Sequence, residues 1–305
     1  MSIFIVSPRI GLCNQLQTIV KGILLGIKFN RNIYIDKFQI NLYNNDLWDI
    51  NKILNINKTN DFLLSINVTN CKIINEIDKN IINNIANYKL PTINYNNIQE
   101  QTCINNHIEK NLDKNIIYLG NIVSLCLNKS FNYTWGDYSN LYYLIISNIK
   151  FHDNFYKIKE EIKTKLNLKN YTTIHLRIED DALRHFSHCY KLTIDEYNQK
   201  LLSYYNSKIK VIKQNMYICS GIFKYDNKIN YNYYINLKKN NNLIYDKSNV
   251  TIDNIYLNNR ELIAIIEMLI AYDSDKFIGC GISSFSRCIE NYFKCNKKNN
   301  IELFE

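Results

Sequence analysis

Residues 3–36, IFIVSPRIGLCNQLQTIVKGILLGIKFNRNIYID, change period once and change back. Ile3 to Val6 is a continuous apolar run of strand type. A loop from Ser7 to Gly11 follows, after which Leu16, Ile19, Val20, Ile23, Leu24 and Ile27 recur at helical spacing. Asn32 to Asp36 reads as a second buried strand. Strand, helix and strand in that order make a βαβ unit, and such units build parallel sheets through right-handed crossovers.

The same alternation returns in the second half. Thr172 to Leu176 reads as a strand leading into an acidic loop, Glu179-Asp180-Asp181. Ile194 to Tyr205 reads as a helix, Asn215 to Cys219 and Leu243 to Tyr245 as strands. Arg260 to Tyr272 is helical, with Leu262, Ile265, Ile266, Leu269 and Ile270 on its buried side. Lys276 to Cys280 is a strand, followed by a turn and a helix through about Phe293. The repeated switching of period predicts an α/β protein of two Rossmann-like domains, residues 1–165 and 166–305. Asn-rich insertions obscure the pattern over residues 40–165.

Composition narrows the function classes. The 305 residues are 46% hydrophobic and 21% charged, as in an ordinary globular protein. With only 8 Gly and 2 Pro, punctuation falls to Asn and Asp, which tolerate turns. The formal charge of +9 is spread thinly, without like-charge blocks or a recognition motif, which argues against nucleic acid and suits an anionic small ligand. The 9 Cys are irregularly placed with no CxxC pair, so neither a metal site nor a disulfide framework is expected. Cys13, Cys219 and Cys280 lie in apolar stretches and read as small hydrophobes. The opening residues lack the charged region of a signal peptide, and no apolar run reaches membrane-span length, so a cytoplasmic location is expected.

Three segments carry chemistry, each where a strand stops and a helix starts, which is where open α/β sheets bind ligands. They are Gly11-Leu12-Cys13-Asn14-Gln15, His175-Leu176-Arg177-Ile178 and Ser283-Ser284-Phe285-Ser286. His175 and Arg177 alternate along a strand end and so point to the same side. Arg177 is a fixed cation that forks onto phosphate oxygens, or else a strand-end partner for Asp180 or Asp181. The last segment starts a helix, where free backbone N–H groups receive anions; Ser283 or Ser284 could equally be a plain N-cap. The first is not the GxGxxG dinucleotide fingerprint. Glu267 stands within an apolar helical stretch, either on a solvated face or accepting from adjacent N–H donors such as a guanine edge.

Taken in order, these segments resemble the GDP-fucose protein O-fucosyltransferases, especially the type that modifies EGF-like repeats. The family's first-loop G-x-x-G-N-Q is matched by Ile10-Gly11-Leu12-Cys13-Asn14-Gln15, with Ile10 and Gly11 replacing the first glycine and the basic residue, and Cys13 the second glycine. H-L-R-I with a following acid is matched at His175 to Ile178 with Asp181. A carboxylate followed by A-D-H-F-I-G-x-x-x-S-S-F-T is matched, without gaps, by Glu267 and the block from Ser274 to Ser286. Residues 40–165 show no match.

The resemblance implies a GT-B fold, two Rossmann-like domains facing across a cleft, with the acceptor side in the N-terminal one and GDP-fucose mostly in the C-terminal one. It implies an inverting transfer of fucose to a hydroxyl acceptor, a protein Ser/Thr or a glycan. Arg177 and Asn14 would be the catalytic residues. Gly11, Leu12, His175, Arg177, Asp181, Glu267, Ser283, Ser284, Phe285 and Ser286 would bind the donor, Glu267 standing where the family has the Asp that reads guanine. No metal is expected, since Arg177 would neutralise the departing diphosphate, and no cofactor beyond the donor. The alternatives are a GT-B enzyme using another nucleotide sugar, an inactive sugar-nucleotide-binding protein, and a structural protein that keeps the fold.

Overall fold

The computed structural model describes residues 2–41, 46–78, 108–122, 138–222 and 228–305. The chain divides into two compact units, Met1–Asp153 and Asn154–Glu305.

In the first unit β1 (Ile3–Val6) is the buried strand expected, with every side chain inside. It leads into α1 (Leu12–Phe29), whose Leu16, Ile19, Val20, Ile23 and Leu24 are buried. Asn30 ends the helix in the left-handed conformation, which Asn tolerates better than most residues. Gly26 lets the helix lie close to the sheet, because a Cβ there would stand 2.6 Å from both the Arg31 carbonyl oxygen and Cys71 Sγ. β2 (Asn32–Ile35) then pairs parallel with β1. A hairpin of β3 (Lys37–Asn41) and β4 (Asp46–Asp49), α2 (Ile56–Ser65), β5 (Ile73–Ile74), β6 (Ile116–Gly120) and α3 (Tyr138–Ile146) follow. The parallel sheet runs β5-β2-β1-β6, so the order reverses between β1 and β6.

The second unit opens with α4 (Asp153–Lys165) and β7 (Tyr171–His175). Then come α5 (Asp180–Cys189), α6 (Ile194–Val211), β8 (Asn215–Cys219), α7 (Tyr231–Lys239) and β9 (Ile244–Tyr245). α8 (Asn254–Asn258), α9 (Arg260–Asp273), β10 (Lys276–Cys280), α10 (Ser284–Cys295) and β11 (Ile301–Phe304) complete it. Its five strands are all parallel, in the order β11-β10-β7-β8-β9. Numbered within the unit this is 3-2-1-4-5, the first five positions of the doubly wound dinucleotide-binding order. The core beside β7 and β8 includes Ile174, Leu176, Leu201, Tyr205 and Ile218.

Two expectations need correcting. The division falls after Asp153 rather than after residue 165, because α4 is fastened to the second unit. Phe155 meets Tyr256 edge-on at 5.8 Å, and Lys159 and Lys163 both bond Asp273, at 2.7 and 2.6 Å. The acidic stretch after β7 is not a loop: Glu179 is the N-cap of α5 and Asp180 and Asp181 form its first turn. Acids there face the positive end of the helix dipole. Among the described residues no helix is long and apolar enough to cross a membrane.

Candidate functional site

After β7 the chain moves to β8 on one side of the sheet, and after β10 it moves to β11 on the other. The connections part between β7 and β10, leaving a crevice at the carboxyl edge of the sheet, the position at which such folds take ligands. The two C-terminal segments singled out in the sequence meet there.

His175 ends β7. Its Nδ1 lies 2.8 Å from Ser286 Oγ, and Ser286 Oγ also accepts from the Cys280 N–H at 3.1 Å. The imidazole stands 4.7 Å from the Phe285 ring, and its main-chain carbonyl accepts from Tyr205 Oη at 2.7 Å. Burial pushes the imidazole pKa down to about 3, so His175 is a neutral hydrogen-bonding group. Gly279 makes this closeness possible, since a Cβ there would stand 2.5 Å from Ser286 Oγ.

Arg177 is ion-paired. Its guanidinium meets Glu179 Oε2 at 2.9 Å and Asp181 Oδ2 at 3.1 Å. Glu179 is buried, and its other oxygen accepts from the Gly221 N–H and from Ser220 Oγ at 3.4 Å. Asp181 is half exposed. Burial opposes the charge on Arg177, but the two carboxylates outweigh it and hold the guanidinium charged. Burial likewise raises the Glu179 carboxyl, and Arg177 together with backbone hydrogen bonds, including that from Gly221, brings it below its ordinary value.

Ser283 occupies the N-cap of α10, yet its side chain makes no capping hydrogen bond. The simple N-cap reading of this serine therefore does not hold. Ser284 and Phe285 are half-buried at the helix start, whose first N–H groups have no carbonyl within the helix to donate to.

Glu267 lies on α9 beside the end of β8. It is buried, so the solvated-face reading does not hold, and its Oε1 meets Lys247 Nζ at 3.2 Å. Lys247 Nζ also donates to the Ser220 carbonyl at 2.7 Å. Lys247, Ser220 and Gly221 had no signal in the sequence, whereas Glu179 was legible only as part of the acidic stretch Glu179-Asp180-Asp181.

Gly11, Leu12 and Asn14 belong to the first unit. Gly11 is the N-cap of α1, the Leu12 side chain is buried in the core, and Asn14 is half-buried in the first turn. Gln15, quoted in the motif without a role, is a clamp. Its Nε2 donates to the Ile10 and Gln39 carbonyls at 2.8 and 2.7 Å, and its Oε1 accepts from the Gln39 N–H at 2.8 Å. Among the described residues no three His, Cys, Asp or Glu side chains are grouped to hold a metal ion.

No family model and no curated protein sequence matches the chain. Solved structures do. The apo form of POFUT1 is similar over 99% of this chain and 98% of its own, with 11% identity and a TM-score of 0.62. POFUT1 in complex with GDP-fucose is similar over 99% and 97%, with 12% identity and a TM-score of 0.59. The fold is that of the GT-B fucosyltransferases. Fucosyltransferase NodZ from Bradyrhizobium gives a TM-score of 0.54 at 10% identity, over 95% of this chain and 92% of that one. The α/β, two-Rossmann class expected from the sequence is thus the class observed.

Proposed function

We propose that this chain is an inverting fucosyltransferase that moves fucose from GDP-fucose to a hydroxyl acceptor on a protein or a glycan. The observation that carries the reading is the meeting of the β7 end and the α10 start at the β7–β10 switch point, made by His175 on Ser286 and Phe285, with Arg177 two residues beyond His175. It is supported by a fold shared with POFUT1, whose solved structures include a complex with GDP-fucose.

The departing diphosphate gathers negative charge. Arg177 is already fixed by the buried Glu179, while its pair with half-exposed Asp181 is of the weak, solvated kind. A phosphate oxygen can replace Asp181 without moving the guanidinium. The N–H groups at Ser284 and Phe285 supply a second preorganised anion site, and together these act where electrostatic catalysis is most effective. Neutral His175, tied to Ser286 and lying against Phe285, shapes the wall of the site without adding charge. Ser283 sits beside that wall, and Glu267 accepts from the guanine edge. In the first unit Asn14, with Gly11 and Leu12, serves the sugar and the acceptor by positioning. The reading includes no cofactor beyond the donor, no required divalent ion and a cytoplasmic location.

Release of GDP from GDP-fucose tests this. Arg177→Ala should lower turnover on the order of a hundredfold or more, and Arg177→Lys should also be poor. Chelation of divalent ions should leave the wild-type rate unchanged. Wild-type rates in Arg177→Ala would return this residue to a strand-end ion pair.

A further inference from the structure

We infer that Lys247 sets the base specificity of the nucleotide site, holding the Glu267 carboxylate fixed and ionised so that it accepts from the two adjacent N–H donors of guanine. The inference rests on the donor reading given above and assigns a part of that site to a residue no motif includes.

The geometry carries it. Lys247 opens the short 3-10 turn Lys247–Asn249 that follows β9, and Glu267 faces it from α9. Both are buried, with Nζ 3.2 Å from Oε1. The ammonium is located from a second side by the Ser220 carbonyl at 2.7 Å. Ser220 in turn donates through Oγ to the Leu176 carbonyl at 2.9 Å, and Gly221 bonds Glu179. Lys247 is therefore fixed to the edge that carries Arg177, and it holds Glu267 at a set place relative to that edge.

The electrostatics explain why a cation is needed. Asp246 faces Glu267 from the same turn, Glu179 from the start of α5, and Tyr217 and Cys219 from β8. Burial is the largest influence and favours the neutral acid; Asp246 and Glu179 add to it, and among the described residues Lys247 opposes it. The carboxyl is pushed up to about 7 even with Lys247 present. Tyr217 and Cys219 are kept neutral by burial and contribute no cation. An ionised carboxylate only accepts, whereas a protonated one donates from one oxygen and accepts at the other. The first form matches the N–H pair of guanine. The second matches a donor beside an acceptor, as on adenine. Near neutral pH a single lysine decides which edge the site reads.

The test is calorimetric titration of GDP and ADP against wild type, Lys247→Met, Lys247→Arg and Glu267→Gln between pH 6 and 8.5. Wild-type GDP affinity should fall as pH drops through about 7, by up to tenfold per unit once Glu267 is mostly protonated. Lys247→Met should show the same fall at higher pH, at least tenfold weaker GDP binding at pH 7, and a narrower preference over ADP. Lys247→Arg should restore part of both, and Glu267→Gln should be weak and flat with pH. A purely structural lysine would instead lower GDP and ADP affinity together with the pH profile unmoved, and that outcome overturns the inference. So does a wild-type profile in Lys247→Met, or, should that variant not fold, a pH dependence that persists in Glu267→Gln. Absence of GDP binding by the wild type at every pH would remove the donor reading itself, and this inference with it.

Discussion

Ile10 has a backbone φ of +76°, in the left-handed region that β-branched residues avoid. It stands where the resembled family has its first glycine, so the loop keeps a glycine's conformation without the glycine. Both of its backbone polar groups are bound. Its N–H donates to Gln39 Oε1 and its carbonyl accepts from Gln15 Nε2, each at 2.8 Å. This clamp over-determines a conformation that costs of order 1–3 kcal/mol. Ile10→Gly should therefore raise stability by about 1 kcal/mol, the relief of strain exceeding the extra chain entropy of glycine. Chemical denaturation checks it, and an unchanged or lower midpoint would mean that Ile10 is not strained. In the sequence this loop looked degenerate, because a motif records residue types and not the dihedral angles they serve. His175 was legible as a strand-end residue, but β7 stops there and the Arg177 N–H bonds the His175 carbonyl at 3.1 Å, so the alternation expected to align the two does not continue to Arg177. Lys247 was not legible, for in a Lys-rich chain one more lysine between elements carries no signal until burial is known.

Three interior strands were legible to the residue, while β7 begins and ends one residue before the Thr172–Leu176 expected. Ile3–Val6 is a continuous apolar run, and Asn215–Cys219 and Lys276–Cys280 each have one polar, half-buried residue followed by four buried ones, as suits central parallel strands. Of the edge strands, β9 was read to within one residue and the other three were not. β6 alternates between buried and half-buried positions, β5 is two residues long, and β11 is half-buried throughout. α4 was missed as part of the second unit because its attachment is ionic, with few buried apolar residues to mark a face. Lys159 and Lys163 converge on Asp273 at the end of α9. Burial raises the Asp273 carboxyl, and the hydrogen bonds from the two lysines more than reverse it. Asp273→Asn should cost about 1–3 kcal/mol, because both ammonium groups lose a charged acceptor while partly buried. GDP affinity should not change, since α4 lies outside the nucleotide site. A denaturation midpoint equal to wild type would show that the apolar contacts of α4 hold it without the ions.

Across the whole molecule, two parallel sheets each reverse their strand order beside the first strand of their unit, β1 in one and β7 in the other. The class was legible because the period of the hydrophobic pattern switches with each element. The strand order was not, since no local pattern says on which side of the first strand the chain returns. That order is what turns two distant segments, at residues 175–177 and 283–286, into one site. The formal charge of +9 suits such a site and its anionic ligand without specifying the base. The central claim is that the second unit holds a guanosine diphosphate sugar, and calorimetric titration with GDP, GDP-fucose and UDP tests it most directly. Saturable binding of GDP and GDP-fucose, with UDP much weaker, is the predicted result. Equal binding of UDP and GDP, or no binding of any of the three, would contradict it.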